Sequence, residues 1–263
     1  MKSICVFCVL CFIVAPSFSQ WVFQKEVPFS SGNVGVDVLG NLYVFDSFQI
    51  KKTDSNGKVV FSYANKNLGE ITSADVTDPM RIMLFYGDFN YLVFLDNSLS
   101  LLRDPVSLDG LNLNRAEVVC ASQKGGFWVF DSGDLRLKYF SSNLQQLNES
   151  NAIDVDVSND KSISLKEFTD YVCLVFEKNG CFVFDKFGNY VFRIQEQGFS
   201  APYVNNGYLY YIMKNELVEH NLKLHNETKI QLPVDNSIQV LFNGTLLYVR
   251  QGDKLQIYFL VEN

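Results

Sequence analysis

Three observations predict an all-β fold built from repeated four-stranded units. The first is a recurring phrase: a glycine, an alternating aromatic and β-branched run, and a closing aspartate. Gly126-Phe127-Trp128-Val129-Phe130-Asp131 states it fully, and Gly40-Asn41-Leu42-Tyr43-Val44-Phe45-Asp46 nearly repeats it. Looser copies stand at Met83-Leu84-Phe85-Tyr86, Cys173-Leu174-Val175-Phe176, Tyr208-Leu209-Tyr210-Tyr211 and Leu246-Leu247-Tyr248-Val249. The second is spacing. The equivalent residues Tyr43, Leu84, Trp128, Leu174, Tyr210 and Leu247 lie 41, 44, 46, 36 and 37 residues apart, the period of strand-rich propeller blades. The third is patterning: 23 Phe and 13 Tyr, period-2 runs such as Val34/Val36/Val38 and Ile238/Val240/Phe242, and no sustained 3.6-residue period. The predicted fold is a six-bladed β-propeller closed by pairing of the N- and C-terminal strands.

In chain order, residues 1–19 read as an export signal. Lys2 supplies a positive start, 4–14 is apolar, and Ser17-Phe18-Ser19 forms a small-x-small cleavage site before Gln20. The apolar run is shorter than the ~20 residues that span a bilayer. Cys8-Val9-Leu10 is too bulky for a lipobox ahead of Cys11, so we expect no direct lipid anchor. Losing Lys2 leaves 21 of the 22 basic residues against 29 acidic ones, a formal charge of −8 for the mature chain. That balance disfavours nucleic acid and anionic membrane surfaces as partners. The expected domain is 20–263, with no linker or low-complexity run inside it.

Blade one takes strands at 34–38, 42–46, 49–53 and 58–63, with Asp54-Ser55-Asn56-Gly57 as its last turn. Blade two runs from 71 to about 106, its long apolar pair folded around Gly87-Asp88. Blades three, four and five span 117–147, 163–195 and 201–232, turning at Asn179-Gly180, Gly188-Asn189 and Asn206-Gly207. Blade six has strands at 237–242, 245–250 and 255–261 and is one strand short. The spare strand at 21–27 is expected to complete it, since an open apolar edge invites aggregation.

No reaction signature stands out. His220 and His225 are the only histidines, and no Gly-x-Ser-x-Gly, His-Glu-x-x-His or Cys-x-x-Cys motif occurs. The recurring Asp46, Asp96, Asp131 and Asp185 end apolar strands and read as turn makers. The run 156–167 matches much of an EF-hand loop, from Asp156 to Glu167, but Lys161 replaces its glycine and a strand follows it. We therefore expect no metal and no cofactor. Cys120, Cys173 and Cys181 remain after signal removal. Cys173 and Cys181 flank one turn and are either bridged across adjacent strands or buried thiols. Triplets at Asn148, Asn226 and Asn243 match the N-glycosylation pattern, which matters only in a eukaryotic secretory host.

The run Asp78-Pro79-Met80-Arg81-Ile82-Met83-Leu84-Phe85-Tyr86-Gly87-Asp88-Phe89-Asn90, continuing Tyr91-Leu92-Val93-Phe94-Leu95-Asp96, is similar to a family of exported propeller-like proteins of bacteria that carry the type 9 secretion system. Phe18-Ser19-Gln20 and 40–46 share the resemblance. That family includes the plug subunit that seals the periplasmic end of the outer-membrane translocon barrel. The resemblance implies a non-enzymatic, protein-binding propeller, periplasmic and peripheral to the outer membrane, whose partner is the barrel protein. It implies no small-molecule substrate and carries over no functional residue. Around the Gly87-Asp88 turn, Tyr86, Phe89 and Tyr91 are the candidate contact residues. The alternatives are a secreted propeller enzyme acting on polysaccharide and a ligand- or calcium-binding sensor.

Overall fold

The computed structural model describes residues 20–29, 31–154, 157 and 159–261; the signal-like residues 1–19 lie outside them. The chain opens with β1 (Gln20–Pro28) and then lays down five four-stranded antiparallel blades in sequence order. Blade one is β2 (Asn33–Val36), β3 (Leu42–Phe45), β4 (Gln49–Thr53) and β5 (Val59–Ala64). Blade two is β6 (Ser73–Asp75), β7 (Ile82–Tyr86), β8 (Tyr91–Leu95) and the short β9 (Val106–Ser107). Blade three is β10 (Ala116–Ala121), β11 (Phe127–Asp131), β12 (Arg136–Phe140) and β13 (Gln146–Glu149). Blade four is β14 (Ser162–Glu167), β15 (Tyr171–Phe176), β16 (Gly180–Asp185) and β17 (Tyr190–Ile194). Blade five is β18 (Ser200–Asn205), β19 (Tyr208–Met213), β20 (Glu216–Asn221) and β21 (Glu227–Gln231).

Blade six holds β22 (Gln239–Phe242), β23 (Leu246–Gln251) and β24 (Lys254–Val261), and β1 is its outermost strand. The β1–β24 ladder sets Gln20 opposite Val261 and Pro28 opposite Lys254, with one bulge between Phe23 and Lys25. The protein is thus an all-β, six-bladed propeller, closed by the pairing that the missing fourth strand implies.

The core lies between the blades. Strands β7, β11 and β8 are buried along nearly their whole length, and alternate side chains leave their two faces for two different clusters. In β7, Ile82, Leu84 and Tyr86 pack toward blade one, while Met83 and Phe85 pack toward blade three. Equivalent clusters join blades three and four, four and five, five and six, and six and one. Burial on both faces explains the near-continuous apolar runs of the central strands.

Strand direction alternates within each blade. The first-to-second and third-to-fourth turns therefore share one end of the ring, the hairpin end. The second-to-third turns and the crossovers between blades share the other, the crossover end. At the hairpin end one five-residue turn recurs. In Asp37–Asn41, Asp54–Lys58, Asp96–Ser100 and Asp185–Asn189, the first carboxylate accepts the backbone N–H groups two and four residues on. The fourth residue is left-handed: Gly40, Gly57 and Gly188, with Leu99 taking the same shape at φ 58. Asp46 and Asp131 instead end second strands at the crossover end. Asp131 is fully buried and accepts from the N–H groups of Asn114, Arg115 and Gly133 and from the Lys138 ammonium at 2.8 Å. The expected turn-making role holds for all four recurring aspartates.

Candidate protein-binding surface

Strands β7 and β8 are joined by the 3-10 turn Gly87–Phe89. The Gly87 N–H donates to Thr72 Oγ1 at 2.9 Å, and Asn90 turns the chain back through a left-handed conformation at φ 53. This geometry throws the Phe89 ring outward, 57% exposed. The ring rests on Gly69 of the preceding crossover: a Cβ at Gly69 would stand 2.9 Å from Phe89 Cδ2. Phe48, in the neighbouring hairpin of blade one, is also exposed, and the Lys66 ammonium lies 5.9 Å from its ring centre. Two exposed aromatic rings therefore flank the single crossover 65–72.

The candidate residues separate by burial. Phe89 is a surface ring, and Tyr91 is half-buried at the start of β8. Tyr86 is fully buried in the blade one–two cluster, so it is withdrawn as a contact residue. Its strand has no solvent face, and period 2 places Tyr86 in line with Ile82 and Leu84. Phe48 was missed in the sequence because Asp46-Ser47 reads only as turn chemistry.

Charge is unevenly divided between the two ends. Among the described residues, the crossover end carries eleven carboxylates and five Lys or Arg side chains in its turns and crossovers. Asp46, Glu70, Asp88 and Asp109 are the carboxylates of the hairpins and crossovers of the first two blades there. Between its strands the hairpin end carries six of each sign, with Asp185 at the end of β16 as a seventh carboxylate. It instead exposes Val38, Leu39 and Met80 on the first turns of blades one and two, which the Val38 N–H bond to Thr77 O joins.

Along the axis the inner strands enclose a channel of about 650 Å³. Its carboxylates are engaged. Asp37 accepts from Leu39, Asn41 and the Tyr43 hydroxyl. Asp75 accepts from the Ala121 N–H, Thr77 and the Lys166 ammonium at 2.6 Å. Burial alone would raise the Asp75 carboxyl, but Lys166 holds it below the ordinary range. Among the described residues no converging pair of free carboxylates faces the cavity.

Both histidines lie on blade five, outside the channel. His220 Nδ1 stands 3.1 Å from Glu227 Oε1, which also accepts the Tyr211 hydroxyl at 2.9 Å, and Phe192 of blade four stacks on the imidazole. Asp156 and Ser158 of the EF-like run lie outside the described residues. Its other carboxylates part company: Asp160 accepts the Lys178 and Asn179 N–H groups, whereas Glu167 accepts the Trp128 indole N–H at 3.0 Å. Among the described residues no cluster of three or more His, Cys, Asp or Glu is placed to hold a metal. Cys173 lies opposite Val183 and Cys181 opposite Val175, so the two free, buried thiols are diagonal neighbours in the ladder.

No protein-family model and no curated protein matches the chain. Solved propellers do match in fold. The virginiamycin B lyase of Staphylococcus aureus superposes with a TM-score of 0.61 at 11% identity, covering 92% of this chain and all of that one. The Pan2 WD40 domain of Neurospora crassa gives 0.63 at 8% identity, covering 95% and 98%. A chain of the mitotic checkpoint complex gives 0.65 at 9%, covering 100% and 99%. At such identities the likeness concerns the fold alone, and these neighbours include both enzymes and WD40 propellers.

Proposed function

We propose that this protein is a non-catalytic, exported propeller that docks on another protein through its crossover end. The observation that carries the proposal is the Phe89 ring, exposed yet seated on Gly69, with exposed Phe48 on the other flank of the same crossover and the carboxylates of Glu70 and Asp88 in that crossover and turn. An aromatic anchor within a polar rim is the usual anatomy of a protein interface. The finer reading is the plug of the type 9 translocon, peripheral to the outer membrane on its periplasmic side, with the barrel protein as partner. Its support is the resemblance of 78–96 to that family, together with a ring of six blades closed by the terminal strands. The enzyme alternative, a propeller acting on polysaccharide, has less to rest on. One solved neighbour is a catalytically inactive histidine-to-alanine form of virginiamycin B lyase, and neither histidine here lines the channel.

The test is capture from native outer membranes followed by mass spectrometry. Phe89→Ala should melt within ~2 °C of the parent, because its ring covers only surface. It should weaken capture of the barrel protein by ~10-fold or more, the scale of an aromatic hot spot at ~1.4 kcal/mol per decade. Deleting the gene should make the outer membrane leaky to large antibiotics. Unchanged permeability, with no outer-membrane protein recovered by the parent, would sink the plug. Leu39→Asp serves as the control at the other end: loss of capture there, with Phe89→Ala unaffected, would move the contact to the hairpin end.

A further inference from the structure

We infer that the outer strand of blade one, β5, is a strand-addition site for an extended, carboxylate-bearing segment of another protein. This site lies on the circumference of the ring and shares only Lys66 with the contact proposed for the crossover end. Strand β5 reads Val59-Val60-Phe61-Ser62-Tyr63-Ala64, without a charge, and its one ladder neighbour is β4. Val59, Val60 and Phe61 are 47%, 46% and 43% exposed in succession, so both faces of the strand meet solvent.

The other outer strands are either very short or carry at least one charged residue. Strand β9 has two residues. Strand β13 carries Glu149, paired with Arg136, and β17 carries Arg193. Strand β21 carries Glu227 and Lys229, and β1 carries Lys25 and Glu26 beside its bulge. Short length, charge and bulges are how edge strands avoid unwanted pairing. Strand β5 has only a bulge, at Val60, where Thr53 faces Val59 and Lys52 faces Phe61. Its regular ladder from 61 to 64 is the stretch an incoming strand would extend by main-chain hydrogen bonds, with side-chain pockets giving specificity.

Local charge selects the occupant. In a chain of strongly acidic balance, the outer half of blade one is basic. Lys51 and Lys52 stand on β4, one on each face, the Lys52 ammonium donating to Asn97 O of blade two, and Lys58 and Lys66 flank β5 at its two ends. The only carboxylate in 49–66, Asp54, is tied to the Asn56 and Lys58 N–H groups. An apolar edge with Lys58 and Lys66 at its two ends and Lys51 on the neighbouring strand fits an extended segment with alternating apolar residues and carboxylates at its ends. A second copy of this edge would bring the same lysines toward each other.

The test uses the mature protein and a capped nine-residue peptide of alternating valine and threonine between two glutamates at each end, with a lysine-ended counterpart. At about 50 mM salt the acidic peptide should bind about tenfold more tightly than the basic one, and the preference should shrink at about 500 mM. Amide exchange at 61–64 should slow on binding. Phe61→Glu, on an exposed position, should keep the parent circular dichroism and melting curve while losing about tenfold in affinity. Lys58→Glu with Lys66→Glu should turn the preference toward the basic peptide. Equal affinity for both peptides, no binding of either at about 1 mM, or protection mapped away from β5 would each overturn the inference. So would protection of 61–64 that grows with protein concentration and no peptide, since the occupant would then be a second copy.

Discussion

Asp185 shows how one carboxylate shapes a turn. Burial alone would raise its pKa, but bonds from Asn189, Phe187 and Gly188 outweigh that and hold it below the ordinary aspartate range. Asp96, bonded by the Ser100 and Ser98 N–H groups and the Ser98 hydroxyl, is held low in the same way. A carboxyl whose folded pKa is depressed contributes stability that is present above the unfolded value near 3.9 and lost as pH falls through the folded value. The melting temperature should therefore be level above about pH 5 and fall below about pH 4. Asp185→Asn keeps the accepting oxygen and should flatten that acid limb. Asp185→Ala should cost about 2 kcal/mol at neutral pH, or roughly 4–8 °C for a chain of this size. Calorimetric scans of the two variants from pH 3 to pH 7 decide it. The aspartates were legible in the sequence because each closes an apolar run at the start of a polar turn. Phe89 was legible because a large ring in a glycine turn has nowhere to hide. Tyr86 was not, because a strand buried on both faces offers no polar alternation to mark which side chains leave the core.

Among the elements, β1 has a task the other strands do not share. It joins the two ends of the described chain in one ladder, and Trp21 reaches further: its indole N–H donates to Gln231 O of blade five at 2.9 Å, and its ring meets Phe242 edge-on. Trp21→Ala should cost about 2 kcal/mol, less than full core truncation because the ring is only half-buried. Deleting 20–29 should destabilise the entire ring. If the shortened protein melts where the parent does, β1 is not a structural strand. Strand positions were readable to within a residue or two for most blades, since glycine and asparagine turns punctuate them. Blade two was the exception in its outer part: 96–105 folds through an Asp96–Ser100 turn, leaving only Val106–Ser107 as outer strand. Nothing in the local apolar pattern distinguishes Leu101 and Leu102, both exposed, from strand residues.

At the scale of the whole molecule the ring has an acidic end and a near-neutral, more aliphatic end. Sequence could not show this. Carboxylates are scattered along the chain, and only the alternating strand directions sort them to one side. Docking through the crossover end should thus depend on salt. Raising ionic strength from about 50 to 500 mM shortens the screening length from about 14 to 4 Å and should slow association several-fold while leaving dissociation almost unchanged. Surface plasmon resonance on the captured partner measures both rates, and a salt-independent association rate would argue that the acidic end faces away. The terminal ladder has a last consequence, in time rather than space. Strand β1 is synthesised first and finds its neighbour only after β24 exists, the longest separation in sequence of any pairing in the ring. Contacts of that span form late and slowly, so blade six cannot close before β24 has been made. Until β24 arrives the ring stays open, and the order of synthesis makes its closure the last pairing of the six blades to form.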